Sequence, residues 1–249
     1  MFPITADTVV NIAFLVTVVL PFYLHWNPAP YGKFTKDGGV FCGAKMNAKL
    51  GWMIQECPAF FITLYHLDFS LPLPIMMPLC LFTAHYFNRS FIFPFLMTST
   101  NPTPIETVAS AFGFCTFNGF IQVTYLFRLQ SPDNALSVIQ ILGVLIFVCG
   151  SFINISADSH LRELAARRVG KQYLTPTKGF FKLVSAANYF GEIVEWWGYA
   201  AVAQTRAALW FAVFTSVFLG QRGCQAHSYY LSKIEDYPRG RRAVIPYLI

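Results

Sequence analysis

Seven stretches of this chain are apolar enough to cross a bilayer, and the segments between them are too short to fold alone. A helix of about 20 apolar residues spans the hydrocarbon core, and such runs fall near 8–24, 50–67, 73–95, 107–127, 136–157, 180–203 and 207–231. Of 249 residues, 55% are hydrophobic and only 12% charged, against roughly 25% charged in a soluble domain. The expectation is one all-α integral membrane domain over 1–249 with seven transmembrane helices. The first run follows Asp7 rather than a basic segment and lacks a small-residue cleavage site, so it reads as the first span and not as a cleaved signal.

The breaks carry turn chemistry: Asn27-Pro28-Ala29-Pro30, 68–74, Asn101-Pro102-Thr103-Pro104, Ser131-Pro132-Asp133-Asn134 and the basic stretch 162–178. Asp133-Asn134 and Thr205 are expected to cap the helices that follow them. Placing the N-terminus outside puts fourteen Lys and Arg in inner segments and only Arg128 and Arg206 in outer ones. The positive-inside rule therefore predicts N-out and C-cytosolic. That distribution also accounts for the net charge of +6 without a nucleic-acid partner, since no dense basic run exists. There are no internal repeats that would suggest an inverted-repeat transporter.

Polar side chains inside the apolar runs point to a buried site, because a charge at the bilayer centre costs about 2.5–3.5 kcal/mol on insertion scales unless it meets a partner or ligand. Asn188, Glu192 and Glu195 fall at i, i+4 and i+7 and share one helix face. They read as a ligand or cofactor face, with an interhelical hydrogen-bond staple as the other reading; Glu195 lies nearer the aromatic belt. Asn154 and Asp158, again i and i+4, stand at the inner end of the fifth run just before the largest basic loop, where a polar cofactor or a plain polar fringe would both fit. Gln55 and Glu56 precede Pro58, which is expected to disturb their helix. Glu56, surrounded by hydrocarbon, is expected to hold its proton and donate a hydrogen bond. Tyr86 and Arg89 are three apart on one face, and Tyr86 adds a neutral hydroxyl. Glu56 with Tyr86 would make an electrophilic pair for a ketone oxygen.

Other chemistries lack a signature. There is no G-x-G-x-x-G after a strand, no phosphate-binding P-loop and no H-E-x-x-H. His85, His160 and His227 are too scattered to suggest a metal site. The six cysteines contain no C-x-x-C pair and read as small buried hydrophobes.

The chain resembles the steroid 5α-reductases, close to the type 1 and type 2 enzymes of vertebrates, over nearly its whole length. The likeness rests on YGKFT at 31–35, QECPAF at 55–60, HYFNRSF at 85–91, NISADSHLREL at 154–164, SAANYFGEIVEW at 185–196 and, most specifically, the tail YYLSKIEDYPRGRRAVIPYLI at 229–249. The resemblance implies a seven-helix fold with a lipid-side steroid pocket and a cytosol-facing NADPH cavity. It implies NADPH-dependent reduction of the 4,5 double bond of a 3-oxo-Δ4 steroid. Gln55, Glu56 and Tyr86 would bind substrate, Glu56 and Tyr86 holding the C3 ketone. Arg89, Asn118, Asn154, Asp158, Tyr173, Asn188, Glu192, Arg222 and Tyr230 would contact NADPH, Arg89 as a phosphate partner.

The chain departs from the family pattern after Tyr173 and in 97–103, where basic residues are missing; Lys178, Arg167 or Arg168 would replace them. Steroid entering from the bilayer and membrane lipid are the expected partners, with no nucleic acid, no metal and no required oligomer. The expected location is the endoplasmic reticulum in a eukaryote and the inner membrane in a bacterium. Rival readings on a similar scaffold are an enoyl-CoA or polyprenal reductase and an S-adenosylmethionine-dependent methyltransferase of the isoprenylcysteine kind; a sterol-binding or transport protein is the non-enzymatic rival.

Overall fold

The computed structural model describes residues 5–26, 43–98, 101–129, 134–168 and 173–249. Among the described residues the fold is α-helical apart from one two-residue ladder and an isolated bridge between Val184 and Arg242. Its helices are α1 (Ala6–Trp26), α2 (Ala48–His66), α3 (Leu73–Phe87), α4 (Phe93–Leu96), α5 (Ile105–Leu126), α6 (Val138–Ala166), α7 (Ala187–Ala203) and α8 (Arg206–Lys233). A π-helix over Asn88–Ile92 joins α3 to α4 without a break. Each of the seven apolar runs holds a helical rod, though α6 extends past its run to Ala166 and α7 begins inside its own at Ala187. Among the described residues, α6 alone is both long and apolar enough to cross a bilayer. Its outward face, including Val138, Leu142, Leu145 and Phe152, is exposed, as are Leu15, Val18, Val19 and Phe22 of α1.

Three expectations need correction. Pro58 does not break α2, which runs through it. Proline leaves the carbonyl four residues back without its amide partner, and here the Cys57 thiol donates to that Ile54 carbonyl at 3.4 Å. The cap of α6 is Ser137 rather than Asp133-Asn134: it forms a reciprocal capping box with Gln140. Asp133 lies outside the described residues, and Asn134 Oδ1 accepts instead from the Leu73 amide at 2.8 Å. The helix of the sixth run, α7, begins at Ala187 and not near 180. The residues before it make a 3₁₀ turn, Gly179–Lys182, and then an extended pairing with the tail, in which Ser185 and Ala186 amides donate to Arg242 and Ala243 carbonyls at 2.8 and 2.9 Å. Thr205 does cap α8, accepting from the Ala208 amide at 3.1 Å.

Packing is closest between α6 and α7. Glycines remove the side chains that would hold the backbones apart, as at small-residue interfaces in membranes. A Cβ on Gly150 would lie 2.2 Å from the Glu195 amide nitrogen, one on Gly191 2.4 Å from that of Asn154, and one on Gly198 2.3 Å from that of Phe147. Helix α5 packs on α2, with Gly119 against Ala59 and Ile62. The ladder β1 (Lys45–Met46) with β2 (Thr103–Pro104) ties the entries of these two helices together. Helix α1 lies along α8: Trp210 Nε1 donates to Thr17 Oγ1 at 3.1 Å and Arg206 to Asn11 Oδ1 at 2.6 Å. An aromatic core of Phe82, Tyr86, Trp196, Tyr199, Trp210 and Phe211 fills the centre.

Candidate active site

The polar residues picked out inside the apolar runs converge from α2, the α3 rod, α5, α6 and α7. On α2, Gln55 Nε2 donates to Glu56 Oε1 at 3.1 Å. Helix α5 presents two groups one turn apart to the neighbouring helices: Cys115 Sγ lies 3.6 Å from Glu56 Oε2, and Asn118 Nδ2 donates to the Tyr86 hydroxyl at 3.3 Å. Asn118 is held in turn by Gln122, whose Nε2 donates to its Oδ1 at 3.1 Å and to the Ala207 carbonyl, also at 3.1 Å. Asn118 and Gln122 have no exposed surface. Glu56 and Tyr86 do not bond to each other; they are the ends of an arc that α5 completes. Tyr86 Oη accepts from Asn118 and, among the described residues, donates its own proton to nothing.

A second string runs from the α3 rod through α6 to α7. Arg89 lies 3.8 Å from Asp158, with its guanidinium 4.9 Å from the Trp52 ring centroid and 4.5 Å from that of Phe93. Asn188 Nδ2 donates to the same carboxylate at 3.1 Å. Asn154 Nδ2 donates to the Asn188 carbonyl at 2.9 Å and to Glu192 Oε2 at 3.5 Å. Asn154, Asp158, Asn188, Glu192 and Arg89 thus form one continuous polar chain. The π-helix matters here: π insertions shift the register of a helix and concentrate at functional sites, and this one begins at the residue before Arg89.

The remaining candidates gather elsewhere, where the end of α8 meets the tail. Arg222 is buried on α8 beside Gly223, whose missing side chain admits Val244 of the tail. Tyr230 stacks on Tyr237 at 5.4 Å between centroids, and Tyr173 meets Tyr229 edge-on at 5.2 Å with the Arg168 guanidinium 3.9 Å from its ring. Of the basic residues considered as substitutes, Lys178 is paired with Glu163 at 2.6 Å.

Several residues here were not singled out from the sequence. His85, dismissed there as a scattered histidine, pairs with Glu195 at 2.8 Å, and Ser151 also donates to that carboxylate. Gln122 and Cys115 share a face with Asn118, a signal visible in their i, i+3 and i+7 spacing. Arg241 is buried in the tail and donates to the Pro176 carbonyl at 2.7 Å.

The family model described as 3-oxo-5-alpha-steroid 4-dehydrogenase matches residues 101–249. Rat 3-oxo-5-alpha-steroid 4-dehydrogenase 1 (Rattus norvegicus) is 37% identical over 231 residues, covering 89% of this chain and 86% of the relative. The chain belongs to the 3-oxo-5-alpha-steroid 4-dehydrogenase family. Type 2 proteins are equally similar: that of Rattus norvegicus is 38% identical over 230 residues, and that of Homo sapiens 38% over 229, each covering 89% of this chain and 88% of the relative. The family model begins after Glu56, Tyr86 and Arg89, whereas the 89% coverage by the relatives reaches well into the N-terminal half. Membership makes the protein an oxidoreductase acting on a carbon–carbon bond, and it gives the buried arc and string a chemical context.

Proposed function

We propose that the protein reduces the 4,5 double bond of a 3-oxo-Δ4 steroid to the 5α-3-oxosteroid with NADPH, from a site enclosed by seven transmembrane helices. The reading carries N-terminus outside, C-terminus cytosolic, and the endoplasmic reticulum as the location in a eukaryotic cell. The observation that carries it is the similarity to 3-oxo-5-alpha-steroid 4-dehydrogenases 1 and 2 across 89% of the chain.

The residues fit the nucleotide. The string offers Asp158 and Glu192 as acceptors for ribose hydroxyls or an amide, and Asn154 and Asn188 as amide partners. Arg89 offers a phosphate a planar cation. Next to Arg89, the buried Trp52 indole nitrogen has no hydrogen-bond partner among the described residues, a donor left for a ligand. Arg222, Tyr173 and Tyr230 would extend the contacts toward the tail. When bound, NADPH supplies a hydride equivalent.

The protein's own work is on the ketone. Tyr86 brings a buried hydroxyl proton with no acceptor of its own. Glu56, in its protonated form, brings a second. Two donors on the C3 oxygen would draw electron density through the conjugated system and leave C5 electron-poor, and would stabilise the enolate left when C5 gains hydride, which a proton at C4 converts to the saturated ketone. Gln55 steadies Glu56, and Asn118, locked by Gln122, fixes the direction of the Tyr86 hydroxyl. The enclosing aromatic core excludes water from the reacting atoms.

The test is to incubate detergent-solubilised protein with testosterone or progesterone and NADPH, and to seek by mass spectrometry a product two mass units heavier, with its C5 configuration assigned. A 5α product is expected. Folded, NADPH-binding protein that yields no such product refutes the reading in favour of another ene-reductase.

A further inference from the structure

His85 and Glu195 are buried, each with less than a tenth of its surface exposed, and their pairing joins α3 to α7 across 110 residues of sequence. Ser151 of α6 donates to the same carboxylate oxygen, so three helices meet on one atom. The groups touching it are held in turn. Glu195 sits where Gly150 lets α6 approach its backbone, and the His85 ring packs against Trp196 at 4.5 Å between centroids. None of these side chains is part of the arc or the string. A cleft of about 180 Å³ lies beside them, lined by His85, Asn88, Ser151, Asn154 and Glu195 among others.

Position along α3 gives this cluster a consequence. His85 immediately precedes Tyr86, and three residues later the backbone changes to π-helical hydrogen bonding over Asn88–Ile92. A π insertion costs hydrogen-bond geometry and persists where surrounding contacts over-determine it. Upstream of it, His85–Glu195 is the polar tie from α3 to α7; downstream, Arg89–Asp158 ties the rod to α6. Without the upstream tie the rod is free to relax toward regular α-helix, which would rotate Tyr86 away from Asn118. Glu195 makes this tie through a single oxygen, Oε1, which meets His85 at 2.8 Å and accepts from Ser151.

We propose that His85, Glu195 and Ser151 form a positioning clamp that holds the α3 rod in its π-containing register, so that Tyr86 and Arg89 face the steroid and nucleotide sides of the site together. The clamp rests on the reductase reading above for its effect on turnover, but its effect on Tyr86 does not. The experiment compares His85→Ala, which removes the tie, with His85→Asn, whose amide can donate to Glu195 from nearly the same place. Thr205→Ala, a cap lost on α8, serves as a control for general destabilisation.

The first measurement is ¹⁹F NMR of protein labelled with 3-fluorotyrosine, with the Tyr86 signal assigned by its loss in Tyr86→Phe. The Tyr86 signal should shift or split in His85→Ala, return in His85→Asn and stay put in Thr205→Ala. The second is steady-state turnover. An ångström-scale misplacement is worth roughly a hundredfold in rate, so kcat should fall about 10–100-fold in His85→Ala and recover largely in His85→Asn, while KM for the steroid moves far less. A Tyr86 signal unchanged in a folded His85→Ala protein overturns the clamp whatever the turnover does. A clamp-dependent Tyr86 signal in a protein without steroid turnover would keep the clamp and refute the reductase reading instead.

Discussion

Replacing Gly191 by alanine should separate two helices that the site needs in contact. The added Cβ would stand 2.4 Å from the Asn154 amide nitrogen, 2.9 Å from its Cα and 2.9 Å from the Gly150 carbonyl oxygen. All three are backbone atoms of α6, so no side-chain rotation relieves the clash. Non-bonded heavy atoms are comfortable near 3.5 Å, so the seam must open by about 1 Å. Overpacking of this kind costs about 1–3 kcal/mol, and the better helix propensity of alanine returns up to about 1 kcal/mol. A net loss of about 0.5–2 kcal/mol in stability is expected. Function should suffer more, because the same opening lengthens the 2.9 Å and 3.5 Å bonds by which Asn154 holds Asn188 and Glu192. NADPH affinity, measured by fluorescence titration in detergent, should fall at least about tenfold, equivalent to about 1.4 kcal/mol. Gly113→Ala, where an added Cβ meets nothing within 4 Å, is the matched control and should be neutral or stabilising. A Gly191→Ala protein with the unfolding midpoint and NADPH affinity of the parent would refute the claim that close backbone approach assembles the string.

Glu56→Gln should lower turnover far more than NADPH affinity, since its side chain belongs to the arc and not to the string; equal losses in both would remove its assigned role. Asn188→Ala should weaken NADPH by about tenfold, because it strips Asp158 of a 3.1 Å donor and removes a direct contact; unchanged binding would count against the string as a nucleotide face. Ser137→Ala loses the α6 capping box, and a fall of about 1 kcal/mol in stability with unchanged turnover per folded molecule is expected from thermal unfolding and activity together. Asp68, in the exposed connection from α2 to α3, accepts from the Ser70 amide at 2.8 Å, which holds its carboxyl below the usual range. Its small stabilisation is therefore present above about pH 4 and lost as pH falls through the folded-state value, so the midpoints of the parent and Asp68→Ala should converge toward acid pH.

What the sequence disclosed and what it withheld divide along the range of the interactions. Apolar length is a local property, and it placed α2, α5 and α8 within two residues of their ends. It also exposed Glu56, Asp158 and Glu192, because an acid in an apolar run is conspicuous by itself. Pro58 misled because the rescue of the Ile54 carbonyl comes from a neighbouring thiol that no propensity scale counts. The start of α7 was missed because 184–186 pair with a tail almost 60 residues downstream. His85 was passed over as one of several scattered histidines because its partner lies 110 residues away on another helix. The extension of α6 past 157 escaped the apolar count, since Asp158 and His160 are polar yet face inward.

The partners of the acids inside the helix bundle separate structural acids from available ones. Glu195 is tied by an imidazole and a hydroxyl on one oxygen. Displacing those partners would strand a desolvated charge, a cost of several kcal/mol that no neutral ketone repays. Among the described residues Glu56 holds only the amide of its sequence neighbour and a thiol at 3.6 Å, a weak contact that a ligand can replace at little cost. Tyr86 likewise loses nothing on binding an acceptor, because its proton is donated to none of the described residues and burial makes the unmade bond costly. A carbonyl oxygen arriving between them improves both groups at once. That asymmetry, rather than the number of polar residues in the interior, is what favours the arc of Glu56 and Tyr86 as the proposed ketone site.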